Sequence, residues 1–205
     1  MIAGARMGTD EAPDLRLIHP APPPEERKIL PNAVLGTILF IMTEVMMFGG
    51  FISAHSIART SVPIWPPPGQ PLLPVAATAL NTAALIASGL LMFYAGRKFT
   101  ESPDSAKRPM MASVILGALF VGLQGSEWAQ LIAAGLTMST SVHAAFFYLI
   151  VGAHGLHAIG GLCAVLWLYY HLTQGTLDKD SFRAGRIFWY FVVGLWPIIY
   201  WQVYW

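Results

Sequence analysis

Between Val142 and His171 the chain runs for thirty residues without an Asp, Glu, Lys or Arg. A helix of about 20 predominantly apolar residues crosses a bilayer, so this stretch is long enough to span one. His154 and His157 sit near its middle, and residues three apart share a helical face. Gly160 and Gly161 follow about a turn further on, where glycine lets another helix come close. A polar, small-residue stripe of this kind should face protein rather than lipid, and its natural partner is a buried acid.

Four other segments, roughly 32–58, 73–96, 110–135 and 187–204, are also long and apolar enough to span. Only 11% of the residues are charged and the mean hydropathy is +0.55, whereas a soluble domain carries roughly 25% charge. The expected fold is an all-α membrane protein, a five-transmembrane-helix bundle over 32–205. Residues 1–31 hold six of the fifteen prolines with charges of both signs and read as a Pro-rich N-terminal arm. No apolar core of a secretory signal opens the sequence. The net charge of +1 gives no reason to expect nucleic acid. The single cysteine, Cys163, excludes an internal disulfide and a cysteine-based metal cluster built by this chain alone. The link at 59–72, with Pro63, Pro66 to Pro68 and Pro71, should be stiff, and those at 97–109 and 173–186 short and turn-like.

Charge placement suggests an orientation. With the N-terminus in the cytoplasm, eleven of the twelve basic residues fall on the inner side and Arg59 alone on the outer, as the positive-inside rule asks. Five spans then put the C-terminus in the periplasm. Trp201, Tyr204 and Trp205 would form an outer aromatic belt, and Tyr169, Tyr170, Trp189 and Tyr190 an inner one.

Two of the eleven acids, Glu44 and Glu127, lie inside the spans. An ionised group at the bilayer centre costs at least about 2.5–3.5 kcal/mol, so such residues normally face protein. At about 1.5 Å of rise per residue, the depth of Glu44 matches that of His154 and His157, and the depth of Glu127 matches that of Asn81. Two polar layers are expected, a central one of Glu44, His154 and His157 and an outer one of Glu127, Asn81 and Gln124. The simplest role for them is to hold helices in register. Proton exchange with a working site, or contact with a ligand or lipid headgroup, stands beside it. Ala77, Asn81, Ala84 and Ser88 read as a small-residue seam, and Gly117, Val121, Gln124 and Glu127 as a second stripe. Pro197 should kink the last span.

The six histidines do not form a metal-ligand pattern. His55 and His143 both fall near the outer surface, so one axial pair for a haem b is conceivable. His154 and His157 would serve a metal only with added carboxylates, of which one is in range. There is no Gly-rich phosphate loop, nucleophile elbow or aspartate pair, and so no self-sufficient catalytic site. A solute transporter is disfavoured by the lack of an internal repeat.

The same residues carry a resemblance. Thr43-Glu-Val-Met-Met-Phe-Gly-Gly50, Leu80-Asn-Thr-Ala-Ala-Leu-Ile-Ala-Ser88, Gln124-Gly-Ser-Glu-Trp128 and His154-Gly-Leu-His-Ala-Ile-Gly-Gly161 resemble, in order, four signature motifs of subunit III of the haem-copper oxidases. The likeness covers roughly 32–205. It departs from the family in two places: the first two of the familiar seven helices, which form one wall of the family's lipid cleft, have no counterpart, and Trp189-Tyr-Phe-Val-Val193 stands where the family has Trp-His-Phe-Val-Asp.

The resemblance implies a short, five-helix bacterial form in the inner membrane. It implies a chain with no haem or copper of its own and with bound phospholipid as a further expectation. The partners would be the catalytic subunit I and subunit II, which would hold the haem and copper. The role would be to support assembly, proton uptake and turnover stability in aerobic respiration. The altered last helix leaves a nitric oxide reductase accessory protein as an alternative, and the histidines leave a small haem b anchor.

Overall fold

The computed structural model describes residues 30–205, so the expected arm falls almost wholly outside the described residues. Five helices follow one another: α1 Asn32–Thr60, α2 Val75–Glu101, α3 Pro103–Ala133, α4 Val142–Gln174 and α5 Lys179–Tyr204. No strand occurs among the described residues. All five are long and apolar enough to cross a membrane, which makes this an all-α, multi-pass membrane protein.

Local chemistry sets the helix ends. Ser141 caps α4 by accepting the Ala144 N–H at 3.0 Å, and Asp178 caps α5 by accepting those of Asp180 and Ser181. Gly175 ends α4 at φ 71°, a left-handed conformation that glycine adopts without a Cβ penalty. Pro103 starts α3, where its missing N–H costs nothing. The 97–109 link differs from expectation: both flanking helices extend into it, leaving only Ser102 between α2 and α3. α5 runs through Pro197 as one helix.

The tightest pairing is α2 on α3. The Ser88 and Ser113 hydroxyls cross-donate to each other's backbone carbonyls at 2.7 and 2.8 Å, a reciprocal bond that needs small residues on both helices. Leu85, Met92, Ala95, Met110 and Val114 are buried alongside. The buried face of α2 runs through Thr78, Asn81, Thr82, Leu85, Ser88 and Gly89. The expected seam is therefore rotated, with Ala77 exposed.

α5 closes the bundle through Trp189. Its indole lies against Gly117 of α3 and Gly161 of α4, and its Nε1–H donates to Ser88 Oγ of α2 at 3.2 Å. Trp189 and Tyr204 are thus core residues, 1% and 8% exposed, rather than members of the aromatic belts expected for them. A buried indole needs an acceptor for its N–H, and a serine on a facing helix supplies it. Gly161 is a point of close approach, whereas Gly160 faces open space.

Candidate functional site

The central layer brings α1 to α4. Glu44 Oε2 lies 2.9 Å from His157 Nε2, without the alignment of a hydrogen bond. His157 Nδ1 is 2.7 Å from the Ala153 carbonyl one turn back. A carbonyl can only accept, so Nδ1 carries a proton and Nε2 is the nitrogen turned to the carboxylate. One further proton then decides the state of the pair, either on Glu44 facing a neutral ring or on Nε2 facing a carboxylate. Phe48 sits edge-on to the ring at 5.4 Å, and Phe40 stacks at 6.4 Å. The two side chains keep 13% and 17% of their surface exposed, so the pair is shielded rather than sealed.

His154 does not join that pair. It is 1% exposed, lies 4.8 Å from the Trp196 ring and 6.3 Å from Phe120, and neither ring nitrogen has a partner among the described residues. Although three residues from His157, it is turned toward α3 and α5 while His157 is turned toward α1.

The outer layer joins α2, α3 and α5. Glu127 Oε2 accepts from Thr78 Oγ1 at 2.9 Å and from Gln124 Nε2 at 3.1 Å. Gln124 Oε1 accepts from Asn81 Nδ2 at 3.3 Å, and Gln124 Nε2 is also 3.2 Å from the Tyr204 hydroxyl. All five side chains are buried. Thr78 escaped the sequence reading, although it lies three residues before Asn81 and so shares its face, and Tyr204 was assigned to the outer aromatic belt rather than to this layer. Deeper rungs of the same ladder also escaped it: Trp196 Nε1 donates to Thr82 Oγ1 at 2.8 Å, and the serine pair meets Trp189.

His55 and His143 each pack edge-on against Trp65, which the proline-rich link brings in at 5.4 and 5.0 Å. Among the described residues no group of three or more His, Cys, Asp or Glu side chains is placed to hold a metal. Cys163 is exposed on α4.

Five helices long and apolar enough to cross a membrane, with polar contacts tying α1 to α4 and α2 to α3 and α5, define a multi-pass helical membrane protein. Sequence comparison narrows this class. The sequence model of cytochrome c oxidase subunit III matches residues 28–205. Cytochrome c oxidase subunit 3 of Pelomedusa subrufa is 34% identical over 186 residues, covering 85% of this chain and 69% of that protein. Those of Canis lupus and Petromyzon marinus are 34% and 35% identical over 182 residues, covering 83% of this chain and 68% of each. The chain belongs to the cytochrome c oxidase subunit III family, and with it to a multi-subunit oxidase of the respiratory chain.

At the two positions where the last helix departs from the motif, the substitutes have contacts of their own. The Tyr190 hydroxyl accepts from Arg186 Nε at 3.2 Å, and Val193 packs on Gly89.

Proposed function

We propose that this chain is the non-catalytic subunit III of a bacterial haem-copper terminal oxidase. In this reading it lies in the inner membrane with its N-terminus in the cytoplasm, against the catalytic subunit I and with subunit II in the same complex. It supports assembly, proton uptake and durability over many turnovers, while haem, copper and oxygen chemistry belong to the partner subunits. The observation that carries the reading is the Glu44–His157 pair. It is the one contact between an intramembrane acid and a basic side chain among the described residues. Oε2 and Nε2 stand 2.9 Å apart, while Nδ1–H donates to the Ala153 carbonyl and fixes which ring nitrogen faces the acid. The outer acid, Glu127, is instead fixed by two donors to one oxygen and serves to hold α2 to α3.

Two substitutions at Glu44 separate holding from proton exchange. Glu44→Ala leaves the His157 ring without its partner, at a typical cost of a few kcal/mol, and should weaken co-purification with subunit I in mild detergent. Glu44→Gln keeps the shape and a polar group facing the ring but not the ionisable proton. The Gln variant should assemble and start at the wild-type rate of oxygen consumption, then inactivate earlier during sustained turnover. A Gln variant as durable as wild type, with unchanged proton uptake, would reduce the pair to a structural clasp.

A second reading, the same fold beside a nitric oxide reductase, is favoured by the Tyr190 and Val193 substitutions in the last helix. Measuring which gas the co-purified complex reduces decides between them.

A further inference from the structure

A cavity of about 620 Å³ lies between α3 and α4, with Trp196 of α5 at its back. Pockets of about 300–1,000 Å³ suit a drug-sized molecule. Exposed Leu149, Leu156 and Ile159 line its mouth, and buried Phe120, Val151 and Ala158 its floor. No lining residue is charged. The link between α3 and α4 is tied down beside it. The Tyr148 hydroxyl donates to the Leu136 carbonyl at 2.7 Å, and Met138 joins the wall.

His154 sets this cavity apart from a plain gap between helices. His157 and His171 each place Nδ1 against the carbonyl one turn back, at 2.7 and 3.0 Å. His154 does not: it is 1% exposed, lines the cavity, and neither ring nitrogen has a partner among the described residues. Trp128 lines the same cavity from α3, and its indole N–H is also buried without an acceptor. The neighbouring polar groups are already engaged, Trp196 Nε1 with Thr82 and the Gln124 amide with Asn81, Glu127 and Tyr204. Leaving buried donors unmatched is costly. A water needs about two to four polar partners, whereas Phe120, Val151 and Ala158 around His154 offer none.

The walls limit the shape of a ligand. Phe120, Trp128, Tyr148 and Trp196 present ring surfaces. The Trp128 ring approaches α4 where Gly152 and Gly155 have no side chain, since a Cβ there would stand 3.5 and 3.6 Å from it. His154 lies twelve residues into α4, about 18 Å along its axis, so a ligand reaching it must be neutral. A neutral imidazole offers one N–H and the Trp128 indole another, and carbonyl oxygens on a flat ring answer both.

We propose that this cavity binds a neutral, membrane-soluble ring compound of the quinone type, its carbonyl oxygens accepting from His154 and Trp128. The ring lies among the aromatic walls, and any apolar tail leaves through the mouth between Leu149 and Ile159. The site is built by this chain's own helices and does not depend on the oxidase assignment.

The test uses the full chain in a neutral detergent. The probe is a tritiated naphthoquinone methylated at both free positions of its quinone ring, so that it cannot add to the thiol of Cys163. Bound probe is counted after spin-column separation, with empty micelles as the blank. The parent dimethylnaphthalene, which lacks both oxygens, is the competitor. Wild type should bind about one quinone per chain, saturably and about tenfold more tightly than the hydrocarbon, as hydrogen bonds to unmatched donors predict. Gly125→Leu puts an apolar side chain where nothing lies within 4 Å of a Cβ at the cavity wall, and it should abolish binding of both compounds. Gly160→Leu, outside the cavity and also facing open space, should change neither. His154→Leu should lose most of the preference for the quinone, and His154→Gln, which keeps a donor, should restore it. If the His154 variants fail to fold, the wild-type preference and its loss in Gly125→Leu decide the matter. Absence of saturable binding to wild type would overturn the proposal. So would equal affinity for quinone and hydrocarbon, which would leave only an apolar slot. Unchanged binding in Gly125→Leu, or full preference retained in His154→Leu, would overturn it too.

Discussion

The ring of Trp189 lies where a side chain on Gly117 would have to be: a Cβ at 117 would stand 2.8 Å from it. The same indole reaches Gly161 on one side and Ser88 on another, so a single residue of α5 gauges the spacing of α2, α3 and α4. Gly117→Ala should therefore destabilise the bundle by about 1–3 kcal/mol, the usual range for overpacking a well-filled core. Gly160→Ala, facing open space, should stay within about 0.5 kcal/mol of wild type. Thermal unfolding in detergent compares the two, and equal midpoints would refute the assigned role of Trp189.

Glu127 collects donors from Thr78 and Gln124 on one oxygen. Glu127→Ala strands both in a buried setting, and each unsatisfied group costs about 1–3 kcal/mol. Glu127→Gln retains an acceptor and should recover most of the loss. The same unfolding measurement should rank wild type and Gln above Ala. A Gln variant as unstable as Ala would show that the negative charge, not the hydrogen bonds, holds this layer.

Much of this layout was legible in the sequence, for physical reasons. The number of spans follows from the thickness of the bilayer, and the matching of Glu44 with His157, and of Glu127 with Asn81, follows from depth along helices of known rise, though it is Gln124, one turn from Glu127, that bonds Asn81. Rotation about each helix axis was not legible. A lipid-facing and a core-facing side chain are both apolar, so hydrophobicity does not mark the buried side of a span as it does in a soluble helix. The α2 seam was accordingly placed on Ala77, Asn81, Ala84 and Ser88; Asn81 and Ser88 are buried, but the face is completed by Thr78, Thr82 and Leu85 rather than by Ala77 and Ala84. His154 was grouped with His157, though it lies among Phe120 and Trp196. Trp189 and Tyr204 were assigned to the membrane interface because tryptophan and tyrosine favour it. Both instead find polar partners on facing helices, Ser88 and Gln124, which single-helix reasoning does not reveal.

The distribution of basic residues bears on orientation. Arg97, Lys98, Lys107, Arg108, Lys179, Arg183 and Arg186 lie at one end of the helices, and Arg59 at the other beside Trp205, whose carbonyl accepts from its Nη2 at 2.9 Å. A reporter enzyme fused after Trp205 should be active only when read outside the cytoplasm, and one inserted at Asp104 only inside. The reverse pattern would invert the orientation of the bundle.

The central claim, that this chain serves a terminal oxidase without performing its chemistry, is tested most directly by purifying the complex through an affinity tag on this chain in mild detergent. Haem content, copper content and gas consumption are then measured on the eluate and on the chain expressed alone. The account predicts a haem- and copper-containing complex that consumes oxygen, and a chain that by itself shows no Soret band. A chain that carries its own haem, with a spectrum lost on changing His55 or His143, would contradict it. So would a complex that reduces nitric oxide but not oxygen.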